Sequence, residues 1–207
     1  MRPEERREEI LSEAANIALD GGLESITLRA VAERLGVRPG LITHYFPAVQ
    51  DLVIAAFVRA VANEREQLIP LHGTPIERMA RLTARAQSPA SHEMARLWLN
   101  ARHLSRFTPA LAQALEEQEA LDRARLLELI GIGADTGDFS VDDPMDACVR
   151  ILIAVDGVGA YVNNTGNFTN EAYANFVSDT AEWALGLRPG ALRAAIGEPS
   201  TPAKGDS

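Results

Sequence analysis

Polar side chains between residues 27 and 45 have the types and spacing needed to bind phosphate oxygens and the edges of nucleic-acid bases. Arginine offers a planar set of donors to both kinds of acceptor, and threonine, histidine and tyrosine add single donors. Glycine beside them removes side-chain bulk. The candidate contact residues are Thr27, Arg29, Arg38, Pro39, Gly40, Thr43, His44 and Tyr45.

A short helix, a tight turn and a second short helix would position these side chains. Thr27 suits an N-cap, and the apolar residues after it recur at helical spacing through Leu35. Gly36 follows where a helix end favours a left-handed residue, and Pro39 suits the first position of the next helix. This arrangement is typical of a helix-turn-helix, whose second helix enters the major groove of DNA. The same pattern also fits an ordinary helical hairpin in an all-α core.

The residues after the second predicted helix favour the helix-turn-helix. Phe46-Pro47 would end that helix, and Asp51-Leu52 would lie near the start of another. With these positions included, the chain resembles the TetR family of bacterial transcriptional regulators in ten residues at the family's spacing. They are Thr27, Ala32, Gly36, Val37, Gly40, Ile42, Tyr45, Phe46, Asp51 and Leu52. The resemblance implies a DNA-binding N-terminal domain, a dimer, and a C-terminal bundle that binds a small-molecule effector.

Three positions differ from the usual TetR pattern. Thr43 takes the place of an aromatic residue, most often tyrosine, in the second helix of the motif. Val49 takes the place of a lysine that contacts a phosphate in many members, and Leu41 stands where a small or hydroxylated residue is usual. These differences concern individual contacts with DNA and not the fold.

The charge of the chain is unusual for a protein that binds DNA. The net charge of the 207 residues is −9, and residues 1–50 carry six arginines against eight acidic residues. Arg29, Arg34 and Arg38 fall in the predicted helix-turn-helix, and attraction to phosphate acts over only about 8–10 Å. We therefore expect this local arginine group to bind DNA and the non-specific affinity to be weak.

Features of exported or membrane proteins are not found in the sequence. The first ten residues are charged and contain no apolar signal region, and no run approaches the roughly 18 apolar residues of a membrane helix. Cys148 is the single cysteine, so no disulfide or cysteine zinc site can form within one chain. We expect a cytoplasmic protein without a cofactor or a bound metal.

The whole pattern predicts an all-α fold of about nine helices and no strands. The expected domains are residues 1–47 for DNA binding, 48–187 for effector binding and dimerisation, and 188–207 as a flexible tail. The helix over residues 48–68 is the expected connection through which an effector would move the DNA-binding domain. The predicted helices cover about residues 3–19, 28–35, 39–46, 48–68, 75–87, 92–106, 109–130, 144–162 and 170–185.

The last two predicted helices indicate a homodimer. Residues 144–162 are apolar nearly all round and contain small residues that allow another helix to approach closely, and residues 170–185 are apolar on one side. In the TetR family the last two long helices of two chains form a four-helix interface, and the resemblance implies the same here. A two-fold axis would then set two recognition helices about 34–36 Å apart, as a palindromic operator in double-stranded DNA requires.

The effector site is the least defined part of the prediction. Residues 94–125 resemble the betaine-repressor-like subgroup of the TetR family, which does not identify the effector. Trp98 and Phe107 could contact it or belong to the core, and Arg102 could contact it or form an ion pair at the surface. Asp156 lies in an apolar helix, where a carboxylate needs a partner.

Two other functions are compatible with an all-α chain. His92, Glu93 and His103 could indicate metal chemistry, but the second histidine of a zinc-protease helix does not follow at the required spacing. No phosphate-binding loop or catalytic serine motif is found either, so an enzyme is disfavoured. A ligand-binding dimer that acts as an activator, or that has no DNA function, stays compatible with Thr43 and Val49.

Overall fold

The computed structural model describes residues 2–164 and 170–197, and within these ranges the fold is all-α, as predicted. Eleven α-helices and two short 3-10 turns form there, and no strand is present among the described residues. The α-helices are α1 (Pro3–Gly21), α2 (Leu28–Leu35), α3 (Pro39–Tyr45), α4 (Val49–Leu68), α5 (Pro75–Ala86), α6 (His92–Ser105), α7 (Pro109–Asp135), α8 (Pro144–Ala160), α9 (Glu171–Ala174), α10 (Phe176–Ala184) and α11 (Ala191–Gly197).

One compact unit contains the residues up to Gln67, Pro89–Ala124 and a short segment that starts at Gly159. Its core joins α1, α2, α3 and α4 to α6 and to the start of α7. The apolar stripe predicted for α1 lies in this core, and Ile10 at its centre is fully buried. The three N-terminal helices therefore share one continuous core with α4 and α6.

A polar contact inside this first unit joins α4 to α7. Arg65 Nε donates to Asp122 Oδ1, and Arg65 Nη2 donates to Gln118 Oε1 at 2.8 Å. Only 10% of the Arg65 side chain and 24% of the Asp122 side chain are exposed, and Gln118 is buried. Because a buried charge is costly without a partner, this group of three side chains holds α4 in one register against α7.

The second compact unit contains Leu68–Ser88, Arg125–Val158 and the C-terminal part of the chain. Its core is built by α5, the second half of α7, α8, α10 and α11. The helix α5 begins as predicted, with a capping box in which Thr74 and Glu77 exchange hydrogen bonds of 3.0 and 3.3 Å.

Helix α7 continues to Asp135, beyond its predicted end at residue 130. The loop predicted to begin at Gly131 is therefore shorter than expected. Gly133 lies buried in this extension, and a Cβ atom there would come within 2.1 Å of the Phe139 ring. This glycine makes room for an aromatic side chain that packs against the helix, whereas the sequence pattern suggested a helix stop.

The last predicted helix, over residues 170–185, is interrupted at Asn175 and forms α9 and α10. The backbone N–H of Ser178 donates to Gln87 Oε1 at 2.9 Å, so a free donor in the first turn of α10 has a partner from outside the helix. The predicted cap Thr169 lies outside the described residues. Asn170 caps α9, with Oδ1 accepting from Ala172 N at 2.8 Å.

The prediction of a flexible tail over residues 188–207 is wrong for its first part, which forms α11. Leu192 is fully buried in the core of the second unit. Glu182, also buried, accepts hydrogen bonds from Gly190 N at 2.7 Å and Leu192 N at 2.9 Å. A carboxylate is favourable at the start of a helix, so Glu182 holds α11 in place. The rest of the predicted tail, from residue 198 on, lies outside the described residues.

The two compact units divide the chain at other positions than the predicted domains. The predicted boundary between residues 47 and 48 lies inside the first unit, because α4 and α6 share its core. The predicted domains describe function, with DNA binding separated from effector binding, and that assignment stays a prediction. No single helix of the described residues is long and apolar enough to cross a membrane; α3 and α4 pass that test only when combined, and they are bent by 76°.

Replacing Leu192 by alanine tests whether α11 is an integral part of the fold. The substitution removes a fully buried side chain, so we expect the free energy of unfolding to fall by about 2–5 kcal/mol. Ile196→Ala changes a residue of the same helix that is 53% exposed, and its effect should stay below about 1 kcal/mol. Urea denaturation followed by circular dichroism measures both values. Equally small effects would mean that α11 adds nothing to the core.

Candidate nucleic-acid interface

Helix α2 begins and ends as the sequence predicts. Thr27 has an extended backbone, and its Oγ1 accepts from Ala30 N at 3.0 Å. Gly36 ends the helix in the left-handed conformation, with φ 64°, and Val37 N donates back to Ala32 O at 2.9 Å. The buried side of α2 thus faces the core of the first unit, and the chain reverses at Gly36.

Helix α3 has seven residues and is held by apolar side chains on one face. Arg38 is its N-cap residue, and Pro39 occupies the first helical position. Ile42 is 0% exposed, and Phe46 directly after the helix is 3% exposed. The guanidinium of Arg7 from α1 lies over the Phe46 ring at 4.9 Å, an attraction between a cation and an aromatic face. These contacts turn the opposite face of α3 towards solvent.

The solvent face of α3 carries most of the predicted contact residues. Those exposed are Arg38, Pro39, Gly40, Thr43 and His44. Tyr45 is half-buried, and its ring lies edge-on to that of His44, with 5.3 Å between the centroids. A Cβ atom at Gly40 would meet no atom within 4 Å, so nothing in the described structure requires a glycine there. Its lack of a side chain leaves room for a DNA backbone to approach the helix.

Arg34 joins α2 to α1 and is not available to DNA unless that contact breaks. Its guanidinium pairs with Asp20 at 2.5 Å and with Glu13 at 3.3 Å, both on α1. The hydrogen bond with Asp20 raises the pKa of Arg34, because the carboxylate stabilises the cation. Arg34 therefore adds little positive potential to a DNA-binding surface, contrary to the expected cluster of three arginines.

Arg29 and Arg38 also differ in whether a carboxylate pairs with them. Arg29 Nε donates to Glu33 Oε1 at 2.7 Å on the exposed side of α2, and this hydrogen bond raises the pKa of Arg29. An exposed pair of this kind is weak, so a phosphate could replace Glu33. Arg38 forms no ion pair with any residue that the structure describes. It is therefore the arginine of the motif that can meet an anion without first giving up a partner.

The two threonines of the motif have defined hydrogen bonds, which determine what they can offer to a ligand. Thr43 Oγ1 donates to Pro39 O, one turn earlier in α3, at 3.3 Å, and its oxygen can still accept. Thr27 Oγ1 accepts from Ala30 N, so its own proton can go to an outside acceptor such as a phosphate oxygen. Thr27 is therefore suited to the DNA backbone, and Thr43 to a donor on a base edge.

Asn100 on α6 contacts this region, although nothing in its local sequence points to such a role. Its Oδ1 accepts from Leu23 N at 2.8 Å, and its Nδ2 donates to Glu24 Oε2 at 2.7 Å. Leu23 and Glu24 lie in the 3-10 turn between α1 and α2. The turn before α2 is therefore held by α6, a contact that the sequence did not suggest.

Two of the predicted effector residues, Trp98 and Arg102, lie together in the first unit. Trp98 packs edge-on against Phe57 of α4, with ring centroids 5.4 Å apart, and the Arg102 guanidinium lies over the Trp98 ring at 5.3 Å. Arg102 also pairs with Glu119 of α7 at 3.2 Å. Both residues are half-buried, so they offer an aromatic surface and a cation while joining α4, α6 and α7.

Phe107 and Asp156 are not placed as the sequence suggested. Phe107 follows α6 and is 71% exposed, so its interpretation as a core residue is wrong. Asp156 is exposed on α8, in the second unit, and is not a carboxylate buried among apolar side chains. The sequence could not show that α8 leaves one face open. The assignment of both residues to an effector site stays a prediction.

The residues from the middle of α1 to the first half of α4 match a known family. The family described as "Bacterial regulatory proteins, tetR family" matches residues 10–56. The match covers 47 of the 207 residues, and within it the chain is similar to this family. The matched segment contains all eight predicted DNA contacts and the helix-turn-helix of α2 and α3, as the resemblance implied.

Two transcriptional repressors match different lengths of the chain. The HTH-type transcriptional repressor KstR of Mycolicibacterium smegmatis is 36% identical over 78 residues, which cover 36% of this chain and 38% of the relative. KstR2 of the same organism is 23% identical over 156 residues, which cover 73% of this chain and 76% of the relative. The chain thus matches little more than a third of the length of KstR and three quarters of KstR2.

Solved structures of TetR-type regulators have the same fold. A TetR-family regulator from Rhodococcus sp. aligns with a TM-score of 0.73 and 22% identity, over 88% of this chain and 99% of the other. A regulator from Saccharomonospora viridis in complex with choline aligns with 0.71 and 19%, over 86% and 96%. FadR from Bacillus subtilis in complex with stearoyl-CoA aligns with 0.64 and 19%, over 86% and 97%.

Two glycines of the helix-turn-helix should respond in opposite ways to alanine. Gly36 has a positive φ that disfavours a side chain, so Gly36→Ala should lower the free energy of unfolding by about 1–2 kcal/mol. Gly40 is helical with open space around it, so Gly40→Ala should leave this free energy unchanged or raise it by up to about 1 kcal/mol. Chemical denaturation of the two variants measures the difference. A loss at Gly40 as large as that at Gly36 would contradict the geometry described for α3.

Proposed function

We propose that this protein is a transcriptional repressor of the TetR family whose homodimer binds a palindromic operator and releases it when a small-molecule effector binds. The observation that carries the proposal is the outward face of α3. Arg38 stands there without an ion-pair partner among the described residues, beside exposed Thr43 and His44. The buried Ile42 and Phe46 hold this face in one orientation.

In the proposed complex α3 enters the major groove of double-stranded DNA. The guanidinium of Arg38 can donate two hydrogen bonds to O6 and N7 of a guanine, or to a phosphate. Thr43 and His44 lie on the same face and would meet neighbouring base edges. Thr27 and Arg29, on α2, would contact the phosphate backbone and fix the position of α3.

The charge distribution supports specific contacts more than general attraction to DNA. The chain carries a net charge of −9. Two arginines of the motif already have carboxylate partners: Arg29 pairs with Glu33, and Arg34 pairs with Asp20 of α1. Few phosphates would then be neutralised, so the affinity for random DNA should be low and should depend weakly on salt. A regulator of this kind acts where the bacterial chromosome lies, so the proposal includes a cytoplasmic location.

An apolar stripe on α8 supports a homodimer. Met145, Val149 and Ile153 recur at intervals of four residues, and each is between 41% and 65% exposed. Gly157 continues the stripe, and a Cβ atom there would meet nothing within 4 Å. A helix from a second copy of the chain could approach α8 closely along this line. The stripe lies within residues 144–162, one of the two predicted dimer segments.

Helix α10 adds a second apolar surface to the same unit. Phe176 is 49% exposed and Trp183 is 65% exposed. The Arg150 guanidinium of α8 lies over the Trp183 ring at 4.6 Å, so the exposed sides of the two helices are next to each other. Contiguous apolar surface of this kind typically marks a protein interface. It supports residues 170–185 as the second part of the dimer interface.

The proposed effector would act through helices that join the DNA-binding region to the rest of the first unit. Trp98 and Arg102 offer it an aromatic face and a cation. A ligand that displaces these side chains would disturb α4 through the contact of Trp98 with Phe57. It would also disturb α6, the helix that carries Asn100. The effector must bind the DNA-competent and the released conformations with different affinity, since otherwise no switch results.

Substitution of Arg38 tests the DNA contact. If Arg38 reads a base, Arg38→Ala should weaken binding to the operator by about 1–3 kcal/mol and leave binding to random DNA nearly unchanged. Arg106→Ala removes one exposed arginine that lies outside the helix-turn-helix, so it serves as the control for the loss of one positive charge. Fluorescence anisotropy with a fragment upstream of the protein's own gene, and with a scrambled fragment, measures both affinities. An unaltered dimer that binds neither fragment at low salt would instead favour a ligand-binding protein without DNA function.

Substitution of Ile153 tests the dimer interface. Ile153→Glu places a carboxylate in the middle of the α8 stripe, where a dimer would bury it, so the dimer dissociation constant should rise at least about tenfold. Leu121→Glu adds the same charge at a residue of α7 that is 50% exposed and should leave this constant unchanged. Sedimentation velocity measures both. Unaltered dimerisation of the Ile153 variant would exclude the α8 stripe from the interface.

A further inference from the structure

The side-chain amide of Asn100 on α6 is hydrogen-bonded at both of its polar atoms to the turn that precedes α2. Its Oδ1 accepts from Leu23 N at 2.8 Å, and its Nδ2 donates to Glu24 Oε2 at 2.7 Å. These partners fix the orientation of the amide, because a backbone N–H can only donate and a carboxylate can only accept. One half-buried side chain thus holds two consecutive residues that lie 77 and 76 positions earlier in the chain.

The backbone needs an outside acceptor at the point where Asn100 meets it. Leu23 opens the 3-10 turn, and the first N–H groups of a helical segment have no acceptor within it. Gly22 ends α1 with φ 85°, a conformation that favours glycine. A Cβ atom at Gly22 would lie 3.3 Å from Asn100 Oδ1, so the amide packs directly against this backbone. Asn100 therefore supplies the acceptor that the chain lacks where it leaves α1.

The turn held by Asn100 determines where α2 begins. Only Ile26 stands between the 3-10 turn (Leu23–Ser25) and Thr27, the N-cap residue of α2. Ile26 is 3% exposed and belongs to the core of the first unit, so this connection has little freedom to adjust. A displacement of the turn would therefore move the first residues of α2 and, with them, the rest of the helix-turn-helix.

We infer that Asn100 is a positioning residue for operator binding, whose amide sets the placement of the helix-turn-helix relative to α6. This inference rests on the proposed function, because it concerns how well α3 fits the operator. Asn100 need not touch DNA, since its effect passes through the turn to Thr27 and the helices that follow. The hydrogen bond with Leu23 carries most of the effect, because its loss would leave a backbone donor without its acceptor.

Helix α6 would then act on the helix-turn-helix without passing through α4. Trp98 and Arg102 lie two residues before and two residues after Asn100 on the same helix. A movement of α6 would pull on the turn through the Asn100 amide, whereas the contact of Trp98 with Phe57 acts on α4. One helix thus has two separate connections, one to the start of α2 and one to α4.

Substitutions at Asn100 and Glu24 test the two hydrogen bonds. Asn100→Leu keeps a side chain of similar size and removes both bonds, so the affinity for the operator should fall about tenfold. Asn100→Asp keeps the acceptor for Leu23 N but places a second carboxylate against Glu24, so we expect a smaller loss of about three- to fivefold. Glu24→Gln keeps an acceptor for the Asn100 amide and should change the affinity by less than about twofold.

The double substitution of Asn100→Asp with Glu24→Gln is the decisive variant. It can restore both hydrogen bonds, with donor and acceptor exchanged between the two side chains, and it leaves the net charge of the chain unchanged. The operator affinity should return to within about twofold of the unaltered protein, which means that the two substitutions are coupled. A double variant that binds the operator no better than Asn100→Asp alone would contradict the assigned role.

Two controls separate positioning from stability and from charge. Leu111→Ala removes a side chain that is 2% exposed in the core of the same unit, so it should lower the unfolding midpoint and leave the operator affinity of the folded protein within about twofold. Gln113→Glu places a second carboxylate beside Glu117, to which Gln113 donates at 2.9 Å on exposed α7, and should also keep the affinity within about twofold. A tenfold loss in either control would overturn the inference.

Fluorescence anisotropy with the fragment upstream of the protein's own gene measures each affinity at a temperature at which thermal unfolding shows the variant folded. If Asn100→Leu does not fold, the other three variants decide, because each keeps an acceptor for Leu23 N. Operator affinity that stays unaltered in both Asn100→Leu and Asn100→Asp would reject this inference alone. An unaltered protein that binds no operator would reject the proposed function and this inference with it.

Discussion

The burial of Ile42 and Phe46 is the contact on which the rest of the helix-turn-helix depends. Isolated helices shorter than about 12–15 residues are marginal in water, and α3 has seven. It keeps its shape because the core of the first unit takes up one of its faces, and that core includes residues from α1, α4 and α6. The orientation of Arg38 is therefore set by apolar contacts with helices that need not touch DNA themselves. A change in that core changes the position of the predicted contact residues.

The parts of the fold that the sequence predicted correctly are those with local signals. Thr27 accepts a hydrogen bond from Ala30, three residues later, and the capping box of α5 spans Thr74 to Glu77. Gly36 stands where a left-handed residue ends α2. Each signal is complete within one turn of helix, so it can be recognised without knowledge of the tertiary structure. The exposed face of α3 follows from the same short-range periodicity.

The features that the sequence did not predict depend on residues that are distant in the chain or on surroundings that no local pattern shows. Arg34 looks like Arg38 in the sequence, but Asp20, fourteen residues earlier, neutralises it. Asn100 supports the turn at Leu23 across 77 residues. The same holds for burial, since Phe107 proves exposed and Arg78 buried, although helical periodicity alone separates neither from its neighbours. Pairing between charged side chains therefore has to be read from the structure.

The attachment of α11 has a practical consequence for preparing the protein. A chain shortened to end before residue 191 would leave the Glu182 carboxylate buried without the N–H group of Leu192, and would open a gap where Leu192 packs. A purification tag added beyond residue 197 would leave both contacts in place. Fusion partners and affinity handles therefore belong outside α11, and fragments meant to represent the second unit should retain it.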